Sequence, residues 1–342
     1  MDENDNNFIF CKDFESIDKK EWIALYANSS NRNVFQTSEM YTFWKKQDNY
    51  SPIAFGVKSK NNGLIAIFTG IIQTNGNKIM KFFTKRAIFY GGPIIDKNVD
   101  QSEVFNFLLQ NLNKTISSMA IYSEIRNFSD YSNLNDVYIN HKYEYIPYQN
   151  YKIDLTSEDD VFKLLKSEKR RQIRRSQREG VVISYENSSE NIIGVYNVIY
   201  KIYKEKVKKP LHKLAFFENL CKQKFASVVA LQYQKKIIGG GFFLMDDKCI
   251  YDWYRGGLDY DFKHQYPSTL AAWSVIKYGL DNNLQTFDFM GAGIRGEDYG
   301  VRDFKSQFGG QLVEDGRYSK VFNSHLFKIG KLGLNILKKL NN

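Results

Sequence analysis

The spacing of hydrophobic and polar positions changes along the chain, and each change predicts an element. Helical spacing marks residues 18–28 and 38–46. Asp18 is placed as an N-cap with Glu21 three residues on, the outline of a capping box. Apolar runs over 52–57 and 64–73 read as strands joined by a turn at Asn61, Asn62 and Gly63. β-rich sequence continues to Tyr90 and stops at Gly91, Gly92 and Pro93. A helix over 102–118, a strand over 120–125, a helix over 131–141 and a strand over 143–155 follow. The second half predicts helices at 159–178, 190–204 and 214–222, then strands at 227–233, 237–245 and 249–255. A helix capped by Ser268 runs to Asp281, and a strand at 286–289 follows it.

The two halves repeat one order. Residues 53–57, a polar turn and residues 64–68 parallel residues 228–232, a polar turn and residues 237–243. Each is a hairpin preceded by helices and followed by another strand and a helix. Such a meander is α+β and fits a doubly wound sheet poorly. Internal duplication is the simplest account.

Composition changes this picture little and charge changes it more. The 342 residues suffice for two domains; 43% are hydrophobic, 15% aromatic and 25% charged, a globular profile with disorder expected only over residues 1–7. No stretch reaches the roughly 20 apolar residues of a membrane span. The acidic start lacks the basic and apolar regions of a signal peptide. Cys11, Cys221 and Cys249 lie far apart, and the four histidines are scattered. That argues against a disulfide framework or a metal centre and for the cytoplasm. The net charge of +10 calls for an anionic partner: RNA, a sugar nucleotide, CoA or the inner membrane face.

The densest basic run spans residues 169–180. Arg170, Arg174 and Arg178 recur every fourth position, with Arg171 and Arg175 in a neighbouring row. Either this row meets phosphates, or it is a solvated face partly neutralised by Glu168 and Glu179. Gly291, Gly293 and Gly296 mimic a dinucleotide fingerprint, but the sequence beyond them reads as loop, so a glycine loop bordering a cleft is expected instead. Strand alternation puts Tyr251, Trp253 and Arg255 on one face and Asp252 and Tyr254 on the other. Phe304 and Phe308 lie one helical turn apart and face the core, which sets Lys305 at a cleft edge. A lysine there can stabilise an oxyanion; an ordinary surface lysine fits the same position.

Together these stretches resemble the FemABX family of peptidoglycan aminoacyltransferases and their short FemAB-like relatives. The carriers are residues 171–181, 237–241, 254–257, 287–291 and 304–310, and, earlier, 35–37 and 89–96. The resemblance implies two tandem GNAT-like domains, each a mixed, largely antiparallel sheet flanked by helices. Residues 1–153 form the first, 154–318 the second, and 319–342 a helical tail returning to the first. It implies that Lys305 stabilises the transition state. Tyr254 and Arg255, with Asp288 and Phe304, are implied to meet the acceptor; the charge pattern leads us to expect Arg170, Arg171, Arg174, Arg175 and Arg178 to hold the phosphates of the donor. No cofactor or metal is implied, since aminoacyl-tRNA or acyl-CoA serves as donor substrate. The implied acceptor is an amine of a cell-envelope precursor, either sugar-nucleotide or lipid-linked. Large members carry a long helical arm in the second domain, which this sequence lacks. The CoA pyrophosphate pattern finds no match either: residues 177–180 begin it and Val182 breaks it.

The tail alternates Leu326, Phe327, Ile329, Leu332, Ile336 and Leu337 with lysines. It can pack on the first domain or rest on anionic lipid at the inner membrane face. The expected activity is aminoacyl transfer. The alternatives are acyl-CoA-dependent N-acylation of an amino-sugar in a surface polysaccharide and non-catalytic binding of RNA or a membrane surface.

Overall fold

The computed structural model describes residues 7–61, 63–74 and 78–331 and divides the chain into two units. The first comprises residues 1–147 and 315–342, the second residues 148–314. Among the described residues no helix is long and apolar enough to cross a membrane.

In the first unit the order is β1 (Phe8–Cys11), α1 (Lys19–Asn28), α2 (Ser38–Lys45), β2 (Tyr50–Ser59), β3 (Gly63–Gln73), α3 (Lys78–Thr84), β4 (Arg86–Tyr90) and β5 (Ile94–Ile95). Then come α4 (Gln101–Ile116), β6 (Tyr122–Arg126), α5 (Asn135–Asn140) and β7 (Glu144–Ile146). The second unit holds β8 (Asn150–Asp154), α6 (Glu158–Leu164), α7 (Ser167–Arg178), β9 (Val182–Ser184), α8 (Ser189–Ile202), α9 (Leu214–Cys221) and β10 (Ala226–Tyr233). It continues with β11 (Lys236–Met245), β12 (Cys249–Gly257), α10 (Pro267–Asp281), β13 (Thr286–Asp288), α11 (Gly300–Ser306) and β14 (Gln311–Val313); β15 (Arg317–Val321) returns to the first unit.

The first sheet runs β1-β2-β3-β4-β6-β15-β7, with β5 on β3; the second runs β14-β8-β13-β12-β11-β10-β9. Each is antiparallel except at one place, where β4 lies parallel to β6 and β12 parallel to β13. A helix joins each parallel pair, α4 in the first unit and α10 in the second. The repeated hairpin order is therefore a repeated topology, and the α+β class stands. Val104, Phe105, Leu108, Leu109, Leu112 and Ile116 of α4 are buried in the first core; Leu270, Ala271, Ala272, Trp273, Val275 and Ile276 of α10 are buried in the second. Each large side chain so buried stabilises by roughly 1.5–3 kcal/mol.

The boundaries move from the sequence expectation. The strand expected over 143–155 divides at Pro147, with β7 in the first sheet and β8 in the second. β15 pairs with β6 and β7, so the chain re-enters the first unit at Asp315 rather than after residue 318. The helix expected over 159–178 breaks after Leu164, and the Arg170 guanidinium donates to the carbonyls of Lys163 (2.9 Å) and Leu165 (2.5 Å). Those carbonyls have no partner within α6, and Arg170 supplies it. Asp18 caps α1, but Glu21 pairs with Lys58 at 3.0 Å rather than completing the box.

Pro267 occupies the first turn of α10, and Ser268 is not its cap. The turn expected around Asn61 includes residue 62, which lies outside the described residues, as do residues 1–6. Residues 324–331 of the expected tail helix are helical; residues 332–340 lie outside the described residues. Phe327 sets its ring edge-on to Tyr122 at 5.2 Å, within the first unit.

Candidate active site

Strand β12 departs from strict alternation. Phe242 pairs with Tyr254 but Phe243 pairs with Asp252, so Trp253 is an extra residue in a β-bulge. The bulge turns Asp252 and Arg255 to the same side, correcting the expected faces. Arg255 Nε donates to both Asp252 oxygens, at 2.9 and 3.2 Å, and Nη1 to the Ser268 carbonyl at 3.1 Å. The guanidinium also lies 5.1 Å from the Phe304 ring centre.

Lys305 lies beside this pair on α11. It is 8% exposed, so its place is interior rather than at a cleft edge. Its ammonium donates to the carbonyls of Phe289 and Gly291, both at 2.6 Å. Arg302, three residues earlier, donates to the carbonyls of Ala292 (2.8 Å), Glu297 (2.7 Å) and Ile294. The glycine loop after β13 is thus held by two cations from one short helix. Its start is fixed as well: Asp288 accepts from Met290 N (2.6 Å) and Asn150 Nδ2 (2.7 Å), and Asn150 Oδ1 accepts from Gly291 N (2.7 Å). Met290 (φ 60°) and Gly291 (φ 116°) take the left-handed backbone that this turn requires. Asp288, 1% exposed, braces the loop from within.

Burial lowers the Lys305 pKa to about 8, against a smaller opposing pull from Asp252. An ammonium has three donors, and two are committed to carbonyls. The third remains for a ligand oxygen, and the lowered pKa leaves the group mostly charged at neutral pH.

A second lysine is buried nearby, and sequence reading missed it. Lys169, on α7, is 6% exposed and donates to Gln172 Oε1 and Thr269 Oγ1, each at 3.2 Å. It stands 4.6 Å from the Phe304 ring centre. Phe304 therefore takes two cations, Lys169 and Arg255. Burial lowers the Lys169 pKa too. The signal was present: Lys169 lies one turn before buried Ile173, on the core side of the helix. Asp252 and Asn150 also belong to the site and were not singled out.

The opposite face of α7 carries the arginines. Arg170, Arg171, Arg174 and Arg178, with Ser167 and Gln177, line an open groove of about 720 Å³. Arg175 turns aside to Glu179 at 3.5 Å, so four of the five expected arginines share the groove. Tyr254 is half-buried among aromatic rings, 5.3 Å from Phe217 and 6.2 Å from Tyr203.

A helix N-terminus is the usual seat of a diphosphate. At α10 that seat holds the Asp259 carboxylate, which accepts from Ser268 N (3.0 Å) and from Ser268 Oγ. At α4 it holds Asp100, which accepts from Glu103 N at 3.0 Å.

Two mixed sheets of repeated topology define a tandem GNAT-like fold. The crystal structure of FemX superposes with a TM-score of 0.71 at 13% identity, over 92% of this chain and 98% of that one. A tandem GNAT protein from the clavulanic acid biosynthesis pathway gives 0.58 at 7% identity, over 92% and 98%. The family described as FemAB matches residues 222–332. The aminoacyltransferase FemA of Staphylococcus aureus (strain MRSA252) is 22% identical, over 88% of this chain and 93% of FemA. That alignment spans 404 positions, more than this chain's 342 residues, so FemA carries segments absent here.

Proposed function

We propose that the protein transfers an aminoacyl group from aminoacyl-tRNA to an amine of a peptidoglycan precursor. The observation that carries this reading is the Lys305 ammonium, buried, fixed by two carbonyls and left with one donor. The neutral acceptor amine attacks the ester carbonyl and forms the new carbon–nitrogen bond. Negative charge gathers on the carbonyl oxygen, where the third Lys305 N–H stabilises it. The carbon–oxygen bond to the tRNA then breaks, and the amine's proton ends on the leaving oxygen. The donor ester is already activated, so the chemistry requires no cofactor.

The arginine groove on α7 supports a polyphosphate donor, and the match along most of FemA supports the aminoacyl class. Acyl-CoA fits less well, because Asp259 and Asp100 occupy the helix N-termini that its pyrophosphate would seek. The test follows labelled amino acid from charged tRNA into a lipid-linked or nucleotide-linked muropeptide, with acetyl-CoA as a parallel donor. Label in the muropeptide is the expected result. Transfer from acetyl-CoA alone would overturn the reading.

A further inference from the structure

The arginine groove has no aromatic rings among its lining residues. Another part of the second unit has both rings and charge. Helix α8 ends in a π-turn over Tyr203–Val207, closed by Lys208 in the left-handed region (φ 52°). π-turns of this kind gather at functional sites. Residues 201–213 hold five lysines besides Lys201 against the single acid Glu205. Lys201 pairs with Asp261, whereas Lys204, Lys206, Lys209 and Lys213 form no ion pair among the described residues.

These lysines border a shelf of rings. His212 stacks on Phe216 at 3.8 Å and 8°, and meets Trp253 at 6.4 Å and Tyr254 at 5.8 Å. Tyr203 joins Tyr254 at 6.2 Å. Burial lowers the His212 pKa to about 4, so this ring is neutral and flat at physiological pH. The bulge at Trp253 sets that indole and Tyr254 on the same side, both half-buried. The shelf leads toward Lys305: Tyr203 lies close enough to Tyr299 to feel its phenol, and Tyr299 packs over Gly293, in the loop whose Gly291 carbonyl holds the Lys305 ammonium.

Flat rings edged by lysines suit bases joined by phosphates. A cationic ligand would be repelled by the lysines, and an apolar peptide would leave them without a role. We propose that this shelf binds the unpaired 3′ nucleotides of the RNA donor, with bases on His212, Trp253 and Tyr254 and phosphates on Lys204, Lys206 and Lys209. The inference rests on the aminoacyl-tRNA reading and assigns that donor's single-stranded end.

Trp22, Trp44 and Trp273 are buried, so Trp253 is the tryptophan that a stacked base can quench. The test titrates the full chain with the uncharged tetraribonucleotide ACCA in a salt series and, separately, with coenzyme A. Saturable quenching is expected, absent in Trp253→Phe, with affinity falling about 0.7 log units per neutralised phosphate for each tenfold rise in salt. The surface triple variant Lys204→Glu, Lys206→Glu, Lys209→Glu should weaken the strand at least about tenfold and flatten the salt slope. No quenching at millimolar strand, or equal affinity in the triple variant, would overturn the assignment. Tighter quenching by coenzyme A would overturn it in favour of that occupant. Turnover of aminoacyl-tRNA without strand binding would sink the shelf alone. Strand binding without turnover of any charged tRNA would keep the shelf and sink the proposed function.

Discussion

Each unit buries charge beside its sheet, and the two do so in opposite ways. In the first unit the group is a half-buried acid. Glu124 on β6 meets Arg126 at 2.8 Å and Arg317 at 3.0 Å, with Arg86 adding to the field. Burial alone would raise its pKa; the guanidiniums outweigh burial and take it down to about 2. In the second unit the buried groups are ammoniums whose hydrogen-bond partners are neutral: carbonyls for Lys305, a glutamine and a threonine for Lys169. The acid that acts most on Lys305, Asp252, is already paired with Arg255. Removing one partner of a matched pair destabilises, because the other charge is left uncompensated. A charge left without a counter-charge can respond to a ligand.

The sharpest test of that contrast is Lys305→Met, which keeps much of the volume and removes the donor. Losing one oxyanion donor costs about 2.7–4 kcal/mol, so kcat should fall roughly 10²–10³-fold. Since Lys305 also pins the glycine loop, the pH profile separates chemistry from scaffolding. The ammonium is present below its pKa and lost as pH rises, so wild-type kcat should decline above pH about 8. Residual activity in Lys305→Met should lack that decline. If the variant keeps it, another group titrates there and Lys305 serves the loop only.

Glu124→Gln is the matching test in the first unit. It leaves two guanidiniums facing an amide and should destabilise by on the order of 3 kcal/mol in chemical denaturation. The folded pKa lies below the unfolded value of 4.5, so this stability is full above that value and fades as pH falls toward about 2. The variant's stability should therefore change less than the wild type's across that acid range. An unchanged acid limb would mean that Arg126 and Arg317 do not depend on Glu124.

Lys169→Met carries the contrast to its opposite sign. No acid is left behind, and Thr269 Oγ1 already donates to Gln172 Oε1 at 2.8 Å. Replacing a desolvated ammonium by a thioether should leave stability equal or raise it by about 1 kcal/mol. A loss as large as that of Glu124→Gln would show that the two kinds of buried charge do the same work.

Much of the scaffold could be read from the sequence. The paired hairpins, the helices around 102–118 and 268–281, and the two-part α+β plan rest on local periodicity and turn residues. The interruptions could be read only in part. Pro147 marks the point where one expected strand becomes two, but nothing local says that the halves join different sheets. The helix break after Leu164 depends on Arg170 folding back onto free carbonyls, an interaction without a sequence signature. Alternation failed at Trp253 because a bulge is set by pairing with β11. Lys305 was legible as a candidate from motif order. Its setting was not, because Asn150 and Asp288 come together across 138 positions.

The smallest expected effect lies within α7, where the contrast between matched and unmatched charge recurs on one helix. Arg174 and Arg178 face the groove, whereas Arg175 is paired with Glu179. Reversing Arg174 and Arg178 to Glu should weaken charged-tRNA binding at every sequence and reduce the salt slope by about 2, near 0.9 for each phosphate no longer neutralised. Arg175→Glu should change that slope by less than half as much, because its guanidinium points away from the groove. Equal slopes for the two variants would mean that binding reads the net charge of the helix rather than the groove. Phosphate positioning would then have to be sought at the lysines after α8.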